Sequence, residues 1–144
     1  MSCNPFTIYD MYVIILSSMP AQLDILVVDN NESIRLLLKD YLTSINRNVT
    51  VASTGEEAIM LVQKYKFGLI FMDNELPEHN GLQIAGLIWN KIDPGVPIVL
   101  FIADRDGAVA KQAHNEGFEV VGKPFSLPEI EEIVERKTKE ANTD

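Results

Sequence analysis

Two aspartates each follow a short apolar run, Asp29 after "DILVV" and Asp73 after "GLIFM", and a lysine, Lys123, follows a third, "FEVVG". Glu75 and Asp104 lie close behind Asp73 and behind the run "PIVLFI". Taken singly, each has a plain explanation. An aspartate after a strand caps a turn, Glu75 and Asp104 are ordinary loop acids, and a lysine before a proline is a solvated side chain. Taken together they suggest chemistry. Clustered carboxylates repel unless a cation sits among them, and oxygen donors at this density suit Mg²⁺ or Mn²⁺. A lysine opposite would neutralise an added anion such as a phosphoryl group.

Such a cluster needs a scaffold that brings distant residues to one edge. The runs at 24–28, 49–52, 68–72, 97–102 and 118–121 are short, apolar and rich in β-branched residues, as strands covered on both faces should be. Amphipathic stretches separate them. Ile34, Leu37, Leu38, Tyr41 and Leu42 share one helical face; Ala58, Leu61, Val62 and Tyr65 share another. Leu82, Ala85 and Ile88 make a third stripe, Ala110 and Ala113 a weaker one, and Leu127, Ile130, Ile133 and Val134 the last. Thr54 with Glu57 and Ser126 with Glu129 have capping-box spacing, and Asn80-Gly81 opens the third helix. Repeated βα alternation predicts an α/β fold, a doubly wound five-stranded parallel sheet with right-handed crossovers. Ligands of such sheets bind outside the carboxyl ends of the strands, where these residues fall.

The 144 residues suffice for one core and are too few for two ordinary domains. We divide them into an N-terminal extension at 1–23, a folded unit at 24–139 and a polar tail at 140–144. A net charge of −9 without a Lys/Arg cluster argues against nucleic acid and anionic membranes as partners. Cys3 is the single cysteine, which leaves no internal disulfide or multi-cysteine metal site and fits a cytoplasmic location. The extension contains "MYVIILSSMPA", which has the look of a signal peptide. However, no Lys or Arg precedes Arg35, and the run is far shorter than the roughly 20 residues that span a bilayer. It is expected to pack on the domain or on a partner, a second copy included.

The segments "ILVVDNNES", "LIFMDNELPEHNG", "VPIVLFIAD" and "VVGKPFSLPEI" occur in an order and at spacings that resemble the receiver domain of two-component response regulators, over about residues 24 to 137. The resemblance implies a flavodoxin-like sheet of order 2-1-3-4-5 and a signalling domain rather than an enzyme. Its partner would be a histidine kinase or phosphotransfer protein that donates from phosphohistidine. It makes Asp73 the phosphoacceptor, Lys123 a phosphoryl contact, and Asp29, Asp73 and the backbone carbonyl of Glu75 ligands of Mg²⁺. It also implies that a downstream protein reads the face made by the fourth helix, fifth strand and fifth helix of the receiver unit, about residues 106 to 137.

Three positions depart from the family pattern. Asn30 stands where a second acid commonly ligates the metal, so Mg²⁺ affinity should fall. Ile102 stands where Ser or Thr usually meets the phosphoryl group, and Val120 replaces a frequent aromatic. Two readings follow: a stand-alone receiver phosphorylated on Asp73 that acts through protein contacts, or a phosphorylation-independent receiver serving as an interaction module. A haloacid-dehalogenase-type phosphatase is disfavoured by Pro77 and by the short chain. A flavodoxin is disfavoured by a first loop, "DNNES", that has no glycine to cradle a phosphate. His79, His114 and Trp89 are read as surface or packing residues.

Overall fold

The computed structural model describes residues 5–18 and 23–143. Eleven elements follow one another: α1 (Ile8–Ser18), β1 (Asp24–Val28), α2 (Glu32–Ser44), β2 (Asn48–Ala52), α3 (Gly55–Lys64), β3 (Leu69–Asp73), α4 (Gly81–Lys91), β4 (Ile98–Ile102), α5 (Ala108–Asn115), β5 (Glu119–Gly122) and α6 (Leu127–Ala141). The five strands form one parallel sheet in the order β2-β1-β3-β4-β5. Because α1 precedes the receiver-like unit, the anticipated output face corresponds here to α5, β5 and α6.

The continuous apolar runs reflect burial on both faces. Along β1, Leu26 and Val28 join a core with α3, α4 and α5, while Ile25 and Val27 join one with α2 and α6. The same alternation sends Ile70 and Met72 of β3 to the first core and Leu69 and Phe71 to the second. Every residue of β3 and β4 is buried, so these central strands carry no polar face.

The helix stripes meet these cores with local exceptions. Leu38 and Leu42 are fully buried, yet Leu37 of the same anticipated face is 45% exposed, and Tyr65 is 52% exposed past the end of α3. Leu37 lies one position from the buried Leu38, about 100° around a 3.6-residue helix, and this rotates it off the core. Capping also differs in detail. The Glu57 carboxylate accepts from the Ser53 N–H rather than from Thr54, and Glu129 turns to Arg105. A complete reciprocal box forms instead between Asn80 and Gln83, at the start of α4.

Leu23 is buried against the α2–α6 core, but residues 5–15 are all exposed, so the expected packing of the N-terminal segment on the domain is not found there. Residues 1–4, Cys3 among them, and 19–22 lie outside the described residues. Among the described residues no helix is long and apolar enough to cross a membrane.

Gly81 fixes the entry to α4 beneath the β3 end. A Cβ there would stand 2.3 Å from the Asp73 carbonyl oxygen and 2.9 Å from Asn74 Cα, both backbone atoms that cannot step aside. Gly81→Ala should therefore lower the unfolding free energy by about 1–3 kcal/mol. Gly86→Ala, where a Cβ meets nothing within 4 Å in mid-helix, should leave it equal or raise it by up to about 1 kcal/mol. Chemical denaturation of the two variants tests the contrast.

Candidate functional site

The carboxyl ends of β1, β3 and β5 hold the three charged residues that the sequence singled out, and neighbouring strands pin each end. The Asp29 N–H donates to the Ala52 carbonyl (3.1 Å), the Asn74 N–H to Phe101 (2.9 Å) and the Lys123 N–H to Ile102 (3.0 Å). Parallel register thus continues just past the strands and brings the side chains into one cleft.

Lys123 joins them. Its Nζ donates to Asp29 Oδ2 at 2.9 Å and lies 3.2 Å from Asp73 Oδ2. Asp29 is wholly buried and Asp73 is 3% exposed, the only buried charged residues among those described. The remaining carboxylate oxygens take main-chain donors: Asn31 N–H to Asp29 Oδ1 at 2.9 Å, and Glu75 N–H to Asp73 Oδ1 at 3.0 Å. The Lys123 ammonium lies over the Phe101 ring, 5.9 Å from its centroid, and Phe101 stacks on Phe125 at 4.8 Å. The Lys123–Pro124 peptide bond is cis.

Burial, the largest influence, pushes the Asp73 carboxyl above its ordinary range; the Glu75 N–H pulls it down, the Asp29 charge pushes it up, and Lys123 pulls it down. For Lys123, burial works to lower the pKa, but the hydrogen bond to Asp29 and the two negative charges outweigh it and raise it.

The other anticipated residues take lesser places. Asn30 and Glu75 are exposed, and Glu75 touches the acidic pair through its main chain. Asp104 serves its own loop, accepting from the Asp106 N–H at 3.2 Å. Ile102, 5% exposed, and Val120 belong to the same apolar cluster beside α5, so neither switch position offers a hydroxyl.

Sequence reasoning passed over two contributors. Arg35 Nη1 donates to the Asp29 carbonyl at 2.7 Å and ties the start of α2 to the end of β1. A cation near a helix N-terminus is unfavourable with the helix dipole, a signal that Arg35 has another task. Asn74 accepts the Leu82 N–H on its side chain (3.0 Å) and the Gly81 N–H on its carbonyl (2.9 Å), closing the loop that follows Asp73.

Two buried carboxylates with spare lone pairs are hard oxygen donors and fit a hard divalent cation. Among the described residues no group of three or more His, Cys, Asp or Glu gathers to hold a metal.

Residues 25–135 match the family model of the response regulator receiver domain. The transcriptional regulatory protein CrdR of Helicobacter pylori is 31% identical over 100 residues, which are 69% of this chain and 47% of that protein. The chain thus spans about half the length of the curated relatives it matches. Among solved structures, the response regulator protein TrrA of Thermotoga maritima, in complex with Mg²⁺-BeF, superposes with a TM-score of 0.70 at 32% identity, covering 79% of this chain and 97% of that one. The Francisella response regulator 1452 receiver domain shares the fold with a TM-score of 0.77 at 23% identity, covering 83% and 99%.

Because its folded-state pKa lies above its unfolded value, ionised Asp73 costs stability, fully so above the folded pKa and not at all below the unfolded one. Asp73→Asn should gain about 1 kcal/mol at neutral pH. The gain should shrink toward nothing as pH falls through the raised pKa, as read from thermal denaturation across pH.

Proposed function

The chain belongs to the response regulator receiver domain family, and on that footing we propose that it accepts a phosphoryl group on Asp73 and signals through protein contacts. The donor is a phosphohistidine on a kinase or phosphotransfer protein. An Asp73 carboxylate oxygen attacks phosphorus as the P–N bond breaks, and the bonding electron pair leaves with the donor's imidazole nitrogen.

The observation that carries this reading is the Lys123 ammonium held between two buried carboxylates, 2.9 Å from one and 3.2 Å from the other. That arrangement keeps Asp73 oriented, with Glu75 N–H fixing one oxygen, and keeps a cation beside the position an incoming phosphoryl group would take. Asp29, Asp73, the Glu75 carbonyl and the neutral oxygen of Asn30 would hold Mg²⁺, which supplies neutralisation of the phosphoryl oxygens when bound. Lys123 then exchanges its contact with Asp73 for one with a phosphoryl oxygen. The Mg²⁺-BeF complex of the TrrA relative supports a phosphoryl site of this kind. We assign the output to the α5–β5–α6 face. With 12 Lys and Arg against 21 Asp and Glu and no basic cluster, a protein suits it better than nucleic acid.

A second reading rests on Ile102 and Val120. Both lie in apolar packing, which supports a receiver that binds its partner without phosphorylation. The two separate on Asp73→Ala: loss of partner binding in a folded variant favours the first, and unchanged binding favours the second.

Incubation with acetyl phosphate and Mg²⁺ should add one phosphoryl group by intact-mass measurement, and Asp73→Asn should abolish it. Wild-type chain that gains no mass under these conditions would overturn the phosphoacceptor assignment. Asn30→Asp restores a carboxylate at the metal edge. It should tighten Mg²⁺ at least about tenfold, since even outer-sphere partners change metal affinity that much. Titration calorimetry of the unphosphorylated chain reads this directly.

A further inference from the structure

The described chain exposes fourteen large hydrophobic residues, and eight of them lie between Phe6 and Ile15; the other six are scattered over the later helices and the end of α3. Those eight are 45–85% exposed. A contiguous apolar surface of this kind marks an interaction site, whereas scattered ones need no explanation.

The segment is built to be a helix. Thr7 and Asp10 form a reciprocal cap, with Thr7 N–H donating to Asp10 Oδ2 (3.1 Å) and Asp10 N–H to Thr7 Oγ1 (3.0 Å). Yet α1 has only 11 residues, among them the β-branched run Val13-Ile14-Ile15. Helices shorter than about 12–15 residues are marginal in water, and most helical stability comes from packing an apolar face. Residues 8–15 are exposed, so their apolar surface is open to a partner outside the domain.

We propose that α1 pairs with α1 of a second copy of this chain. Ile8, Met11, Tyr12 and Ile15 follow the i, i+3, i+4, i+7 pattern of a helix-pairing seam. Asp10, the only charge in α1, lies on the opposite side of the helix and stays in water. The same seam on two chains is self-complementary about a two-fold axis. On that seam Tyr12, at about 150–250 Å², with Ile8, Met11 and Ile15 and with Ile14 at its edge, makes a patch toward the small end of protein–protein interfaces. A membrane surface is a poorer fit. Interfacial helices carry a Lys/Arg-rich polar face, and here no Lys or Arg precedes Arg35 in a chain of net charge −9.

Sedimentation equilibrium of the full chain at micromolar concentration, without phosphoryl donor, tests the pairing. Wild type should weigh twice the chain mass. The double variant Tyr12→Glu/Ile15→Glu should show a two-fold fall to one chain mass with an unchanged melting transition, and Leu36→Glu on α2 should remain dimeric. A monomeric wild type, an assembly larger than two, a dimer indifferent to the α1 variant, or dissociation by Leu36→Glu would each overturn it. So would co-flotation of the wild type with phosphatidylcholine–phosphatidylserine vesicles, which would make the membrane the occupant.

Discussion

One ammonium group ties the working end of this molecule together. Lys123 reaches from the end of β5 to a carboxylate behind β1 and to another at the end of β3, both buried. Without it two negative charges would share a dry cleft, an arrangement costing several kcal/mol per uncompensated ion. With it, attraction of about 4 kcal/mol per pair at about 4 Å and an effective dielectric of 20 roughly offsets desolvation. Such a balance gives the fold little net stability. It gives an arrangement poised to change when charge is added to one carboxylate.

That poise depends on strands that cannot move. The apolar alternation of β1, β3 and β4 locks each strand between two cores, and register carries over the strand ends through the main-chain bonds of Asp29, Asn74 and Lys123. A shift of one residue would send every side chain of a strand into the opposite core, where its size does not match, so the spacing of the charged groups is set by burial far from them. The loops add local fixing. Arg35 holds the Asp29 carbonyl, and Asn74 holds the first amides of α4.

What the residues revealed in advance follows the same physics. The strands were legible because runs such as "ILVV" and "IVLFI" admit few other readings, and their order and ends put Asp29, Asp73 and Lys123 at one edge of the sheet. Individual exposures were less legible. Leu37 fits the periodic stripe of α2 but sits just off its buried edge, a matter of helix rotation that only packing decides. Arg35 showed only that it sat against the helix dipole; its contact is with a backbone carbonyl, a partner that no residue type announces. The α1 segment showed its hydrophobicity plainly, but whether it lay on the domain was a tertiary question.

Asn30 and Ile102 bear on the same charge balance. Asp29, Asp73 and Lys123 together carry one net negative charge, where a second acid in place of Asn30 would make it two. A less negative cleft needs a cation less in the resting state and gains less from one, which on the proposed chemistry would shift the work of holding an added phosphoryl group toward Lys123. Ile102 would move it further in that direction, because its buried side chain offers no hydroxyl to share such a contact. On the proposed chemistry, loading Asp73 would then be felt mainly through one bond, that between Lys123 and the acid behind β1. Since Lys123 is pinned to β4 by its own amide, any adjustment it makes is passed to the β4–β5 edge of the sheet, beside α5.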